Sequence, residues 1–136
     1  TTMAVVKDET MPISTSEDVV RVRQAARAWA VAQGLSVVDQ TKIVTAASEL
    51  ARNTFVHGGG GTVRLEAIHD GGRRGLRLTF TDKGPGIPDV AQALADGYTT
   101  GSGLGLGLGG AKRLSNEFDV SSTPGQGTQV RIARWL

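Results

Sequence analysis

Hydrophobic positions repeat with two different periods along this chain. Between residues 14 and 34, Val19, Val22, Ala26, Trp29, Ala30 and Gln33 fall on one stripe of period about 3.6, which predicts an amphipathic helix. Ser14 with Glu17 three residues on fits a capping box at its start, and Gly34 suits the left-handed residue after a helix end. Ser36 with Asp39 repeats the box, and a second helix is predicted from about 37 to 57. On it, Ile43, Ala47, Leu50, Ala51 and Thr54 gather on one side, while Thr45, Glu49, Arg52, Asn53 and Val56 lie roughly opposite.

The period then changes to two. In 62–68, Val63, Leu65 and Ala67 alternate with Arg64, Glu66 and Ile68; in 75–82, Leu76, Leu78 and Phe80 alternate with Arg77, Thr79 and Thr81. Both segments are expected to be half-buried strands joined by the hairpin sequence Asp70-Gly71-Gly72. Residues 3–13 make a weaker strand, in which Pro12 favours an edge position. Two further strands, 117–122 and 127–134, flank the turn sequence Thr-Pro-Gly-Gln-Gly. Between the second and third pairs of elements lies a long glycine-rich loop, 83–110, with a short helical candidate at 89–96 and a helix at about 104–115. The order β, α, α, β, β, loop, α, β, β predicts one α+β domain spanning 1–136. Its architecture would be a two-layer sandwich: a mixed, mostly antiparallel sheet covered on one face by three helices, the other face more exposed.

Composition removes several classes of function. The 136 residues contain no Cys, which excludes a disulfide scaffold, a thiolate metal site and a Cys nucleophile. Fifteen Lys+Arg against 13 Asp+Glu leave a net charge of +2, too little to indicate nucleic acid. No apolar run is long enough to span a bilayer and no signal segment opens the chain, so a cytoplasmic protein with no membrane partner is expected. The 19 Gly are about twice the ordinary share, and their location decides their meaning.

Four groups of residues carry candidate chemistry. Glu49 and Asn53 are an i, i+4 pair, so a carboxylate and an amide oxygen meet on one helix face, where they can hold a hydrated Mg²⁺ or simply face water. Asp82 continues the Leu76, Leu78, Phe80 series and so points toward the core at a strand end, where it needs a hydrogen-bond partner. The exocyclic amine of a purine is one such partner, with Gly84 and Gly86 letting the backbone approach a flat ring; an Asp capping its own Gly-Pro turn is the other reading. The run from Gly101 to Gly110 feeds a helix that carries Lys112 and Arg113, an arrangement that suits a phosphate or a flexible hinge. Thr128 shares its strand face with Val130 and Ile132, so its hydroxyl points inward and can join Asp82. Walker A and protein-kinase motifs are absent, and the two His do not pair as metal ligands.

Glu49-x-x-x-Asn53, Asp82-x-Gly84-x-Gly86, Gly103-x-Gly105-x-Gly107 and Gly127-Thr128 in this order resemble the four boxes of the GHKL ATPases, which share the Bergerat nucleotide fold. Within that family the chain is most similar to the small serine/threonine switch kinases of bacterial stressosome partner-switching modules, on Ser-Glu-Leu-Ala-Arg-Asn at 48–53, Asp-Lys-Gly-Pro-Gly-Ile-Pro-Asp at 82–89 and Lys-Arg-Leu at 112–114. Anti-sigma kinases are the next nearest.

The resemblance implies a histidine-kinase-like ATPase fold that binds ATP and Mg²⁺. Glu49 would orient or deprotonate the attacking hydroxyl, and Asn53 would coordinate Mg²⁺ bridging the phosphates. Asp82 and Thr128 would hold the adenine, with Gly84 and Gly86 shaping its pocket. Gly103, Gly105 and Gly107 would wrap the triphosphate within a lid at 88–107, and Arg52 would reach the γ-phosphate. The implied partners are STAS-domain antagonist or scaffold proteins, phosphorylated on Ser or Thr, and a PP2C-type phosphatase activated by binding. Two alternatives stay open: an anti-sigma factor kinase that binds a sigma factor, and a non-catalytic nucleotide-dependent binding module.

Overall fold

The computed structural model describes residues 3–87, 89–94 and 107–136. Its elements are β1 (Met3–Ile13), α1 (Ser16–Ala32), α2 (Val37–Val56), β2 (Gly61–Asp70), β3 (Arg73–Asp82), α3 (Val90–Ala93), α4 (Gly107–Arg113), β4 (Glu117–Thr123) and β5 (Gly127–Trp135). They build one five-stranded sheet in the order β1-β2-β3-β5-β4. All four strand pairings are antiparallel, so the expected mixed sheet carries no parallel pair among the described residues. β4 lies at the far edge of the sheet, and β5 turns back from it to pair with β3. That return is what places the end of β3 beside the start of β5.

Both expected helix starts are shifted or incomplete, each for a physical reason. In α1 the cap is Thr15, whose side chain accepts the Asp18 N–H, while the Asp18 carboxylate accepts the N–H groups of Ser14 and Thr15. Ser14 with Glu17 has the same spacing, but Ile13 is fully buried at the strand end and leaves the Ser14 N–H for Asp18 to satisfy. The backbone bonds from Ser14 and Thr15, with Arg21 beside it, hold the Asp18 carboxyl below its ordinary value against the opposing effect of burial. In α2 the Ser36 side chain accepts the Asp39 N–H, but the Asp39 carboxylate pairs with Arg134 of β5 at 2.9 Å instead of closing the box.

The core sits between the sheet and the helices. Val22, Ala26 and Ala30 of α1, Ile43, Ala47, Leu50 and Ala51 of α2, Val63 and Leu65 of β2, Leu76, Leu78 and Phe80 of β3 and Ile132 of β5 are all buried there. These are the positions that the two hydrophobic periods select. Each large side chain contributes roughly 1.5–3 kcal/mol by leaving water. Leu108 and Ala111 fasten the short α4 onto the same core.

The other sheet face is not merely exposed. Ile68, Ala133 and Trp135 form a second buried apolar cluster on it. Trp135, isolated in sequence, lies across Gly75, its directly paired residue on β3. A Cβ on Gly75 would stand 2.8 Å from the indole, so only glycine leaves the ring room to lie flat. The Arg73 guanidinium covers the ring at 4.6 Å and the indole N–H donates to Glu117. Farther along, Glu66 is 4 % exposed and accepts two bonds from Arg77, at 2.9 and 3.0 Å. The Arg77 hydrogen bond, and the charges of Arg77, Arg64 and Arg131, hold the Glu66 carboxyl below its ordinary value although burial opposes this.

The edge strand β1 is exposed along most of its length. Its ladder is interrupted by a bulge between Val5 and Lys7, Pro12 removes one donor, and Lys7 folds over the Trp29 ring at 4.7 Å. These features discourage edge-to-edge pairing.

Candidate functional site

A single cross-strand row ends the core. Ile13 pairs with Gly61, Gly61 with Asp82, Asp82 with Thr128, and Thr128 with Ser122. Directly paired residues of an antiparallel sheet point to the same side. The row therefore changes from apolar to polar on the face that carries the core, and ends in one carboxylate and two hydroxyls. Asp82 was expected on that face from its alternation with Phe80, and it is there, half-buried.

Glycines close the backbone around this carboxylate. A Cβ on Gly58 would lie 2.4 Å from the Asp82 Cγ, and one on Gly84 would meet the Gly58 backbone at 2.7 Å. Gly127, at φ +118°, would drive a Cβ to 2.1 Å from the Asp82 carbonyl oxygen. The Gly84 N–H donates to Asp82 Oδ1 at 2.9 Å, the self-capping turn that the Gly-Pro sequence allowed. Oδ2 makes no hydrogen bond among the described residues and is the acceptor left for a ligand. Gly86, at φ +79°, packs against the backbone of Thr123, and the Gly125 N–H donates to the Pro85 carbonyl at 2.7 Å. The 82–87 loop is thereby tied to the β4–β5 hairpin.

Helix α2 delivers the second part of the site. Its outward side chains Glu49, Arg52 and Asn53 are half-buried, not fully solvated. The Gly58 N–H donates to the Asn53 carbonyl at 3.1 Å, so the end of α2 runs straight into the glycine that packs on Asp82. The Asn53 amide and the Arg52 guanidinium make no hydrogen bond or ion pair among the described residues. Glu49 Oε1 accepts the N–H of Gly107 at 3.0 Å, which joins α2 to the first residue of α4. The structure thus joins Asp82, Gly84 and Thr128 in one corner, ties Gly86 to the adjoining β4–β5 hairpin, runs Asn53 into that corner through Gly58 and links Glu49 to Gly107; Arg52 lies on the same helix side as Glu49 and Asn53. Gly103, Gly105 and most of the expected 88–107 lid lie outside the described residues.

The helix expected at 104–115 is described over Gly107–Arg113, and the candidate at 89–96 over the single turn Val90–Ala93; residues 104–106 and 95–96 of these expectations lie outside the described residues. Lys112 and Arg113 stand exposed in the last turn of α4, at the end away from Gly107, where cations suit the helix dipole. Gly58 and Ser122 were missed. Gly58 falls between a helix end and a run of turn glycines, so nothing local marks it. Ser122 shares the strand alternation of Phe118 and Val120, and pairing across the 123–127 turn to Thr128 was the available signal.

The donor set also limits a metal. Among the described residues no three His, Cys, Asp or Glu side chains gather as a cluster. The Asn53 amide oxygen, which makes no hydrogen bond among the described residues and lies one helical turn from the Glu49 carboxylate, fits Mg²⁺, which keeps several waters and takes its other ligands from phosphate oxygens. No helix is long and apolar enough to cross a membrane among the described residues.

Known proteins share this chain's family and fold. Residues 13–134 match the histidine kinase-like ATPase domain model. The chain is 44% identical over 124 residues to the serine/threonine-protein kinase RsbT of Bacillus subtilis, covering 91% of this chain and 93% of that one. It is 28% identical to an anti-sigma F factor of a Thermoanaerobacter species, covering 91% and 90% of the two chains. Among solved structures, the RsbU and RsbW domains of Rv1364c from Mycobacterium tuberculosis superpose with a TM-score of 0.67 at 21% identity, over 95% of this chain and 32% of that one. The polar row, the glycine cradle and the α2 pair are carried on the same fold that these relatives share, and this chain belongs to the GHKL family of histidine kinase-like ATPases.

Proposed function

We propose that this chain is an ATP-dependent serine/threonine-protein kinase of a partner-switching module. The observation that carries the reading is the 44% identity, over nearly the whole of both chains, to a relative named as such a kinase. Phosphoryl transfer requires an acceptor for the base, a carboxylate near the transferred group, and donors for the phosphates, and Asp82, Glu49 and Arg52 supply residues of these types.

In this reading Asp82 accepts the adenine amine and Thr128 completes the base pocket. The glycine N–H groups of 103–107 and the Arg52 guanidinium neutralise the triphosphate, with Arg52 at the γ-phosphate. Asn53 would be the chain's ligand to Mg²⁺, which when bound would draw charge from the phosphate oxygens. Glu49 takes the proton of the incoming Ser or Thr hydroxyl. The hydroxyl oxygen bonds to the γ-phosphorus, the bond from that phosphorus to the β–γ bridging oxygen breaks, and ADP leaves. Glu49 Oε1 accepts the Gly107 N–H at 3.0 Å, which would hold the carboxylate in place, while its other lone pairs remain for the hydroxyl proton. The acceptor would be a STAS-domain antagonist or scaffold protein. A PP2C-type phosphatase would be bound and activated by the kinase once it is released.

Incubation with labelled ATP, Mg²⁺ and a cognate STAS-domain protein tests this. Label is expected on Ser or Thr, reduced about a hundredfold or more in Glu49→Ala. Absence of label, or equal label in the variant, overturns the kinase reading and leaves a nucleotide-dependent binding module. A second reading, an anti-sigma kinase, is favoured by relatives named anti-sigma F factor at 27–34% identity. Nucleotide-dependent capture of a sigma factor, without capture of a phosphatase, would select it.

A further inference from the structure

We infer that Ser122 is a positioning residue for the base pocket, setting which way the Thr128 hydroxyl presents its proton to the ring. This rests on the reading that Asp82 and Thr128 hold a purine. Ser122 lies opposite Thr128 in the β4–β5 register, two strands from Asp82 in the same row. Its oxygen has three neighbours: the Ile87 N–H donates to it at 2.7 Å, Thr128 Oγ1 stands at 3.0 Å, and the Gly127 carbonyl at 3.3 Å.

The proton count decides the arrangement. A serine hydroxyl has one proton and two lone pairs. Ile87 takes one lone pair. If Thr128 donated to the other, the Ser122 proton would be left with Gly127 alone, at a distance beyond the usual 2.5–3.0 Å range of O–H···O bonds. If Ser122 donates to Thr128, its bond falls within that range and the Thr128 proton is released toward the open side of the row. The second arrangement is the better satisfied.

The consequence is chemical selectivity. Asp82 is an acceptor only, and Thr128 becomes a donor beside it. Adenine offers a donating 6-amine and, next to it, an accepting N1, so the pair matches its edge directly or through one water. Hypoxanthine presents the reverse, an accepting 6-oxygen and a donating N1–H. Ser122 also anchors the 82–87 loop through Ile87, so the same hydroxyl holds the loop that carries Asp82.

The measurement is calorimetric binding of ATP and of ITP, each with Mg²⁺, to the full chain. In Ser122→Ala, ATP affinity is expected to fall about fivefold while ITP affinity changes less than about twofold, because Thr128 is then free to turn either way. Ser122→Thr keeps the hydroxyl and is expected to restore the ATP-to-ITP ratio. Thr128→Val should reduce the ratio in the wild-type background and add nothing in Ser122→Ala. Equal weakening of ATP and ITP in Ser122→Ala, or a ratio unchanged in both Ser122 variants, overturns the positioning role and leaves the purine site intact. Failure of the wild-type chain to bind either nucleotide overturns the purine site itself.

Discussion

Two corners of β3 use the same local device for opposite ends. Near its start, Gly75 faces Trp135 across the β3–β5 ladder, and the indole fills the space that a side chain would have taken. At its finish, Asp82 faces Thr128 across the same ladder, with Gly58, Gly84 and Gly127 pressed against it. In the first corner the chain supplies its own aromatic ring, so the glycine serves packing. In the second the ring is replaced by a carboxylate whose Oδ1 accepts the Gly84 N–H and whose Oδ2 makes no hydrogen bond among the described residues. Whether a glycine cleft is structure or site therefore depends on what fills it, which is set by residues distant in sequence.

The sharpest separation of the two corners is Trp135→Ala. Losing the ring, its cation–π contact with Arg73 and its bond to Glu117 is expected to cost about 3 kcal/mol, read as a lower midpoint in urea unfolding. ATP affinity of the folded protein should stay within about twofold of wild type. A tenfold loss of affinity would join the corners into one unit.

Gly58→Ala tests the other corner. Its Cβ would stand 2.4 Å from the Asp82 Cγ, so the carboxylate has to swing away. About a tenfold loss of ATP affinity is expected, with a stability cost of about 1 kcal/mol. Combined with Asp82→Ala, the loss should be no larger than for Asp82→Ala alone, since both act on one group. Additive losses would place the effect of Gly58 elsewhere.

Asp82→Asn preserves shape and the acceptor for Gly84 but removes the charge. ATP affinity should fall by about tenfold and the unfolding midpoint should move little. An affinity unchanged within about twofold would deny the carboxylate its part in the base pocket.

The smallest effect concerns the outer sheet face. The Glu66 carboxyl is held below its ordinary value chiefly by the Arg77 hydrogen bond. Its contribution to stability is therefore complete above the unfolded-state value of about pH 4.3 and is lost as pH falls through the lower folded value. Glu66→Gln should destabilise by about 1–2 kcal/mol at pH 7, and its thermal midpoint should fall less steeply than that of wild type below about pH 4. Asp18 is shifted in the same direction by its backbone bonds, so part of the acid loss persists in the variant. Parallel midpoint curves for the two proteins would remove Glu66 from the acid response.

Legibility in the sequence followed the range of the interaction. The stripe of α1, the two-faced α2 and the alternations of β2 and β3 depend on neighbours within one or two turns or strand repeats, and they were readable. The α1 cap slipped by one residue because Ser14 with Glu17 and Thr15 with Asp18 have equal spacing, and only the buried strand end at Ile13 separates them. The Ser36 box was half right because Asp39 finds Arg134, 95 residues away. Trp135 looked isolated because its partners, Gly75, Arg73 and Glu117, come from two other strands, β3 and β4.

Of the site itself, residue types and order were visible along the chain: the Glu49–Asn53 pair, the inward Asp82, and the Gly127-Thr128 step. Helical and strand periods determine which way each side chain faces its own element, and that is a property of the local backbone. Their convergence was decided by the fold, because β5 must return between β3 and β4 before Asp82, Thr128 and Ser122 share a row. Gly58 gained its meaning the same way: a glycine is forced only where another part of the chain arrives within a methyl group's reach, and no local pattern records that arrival.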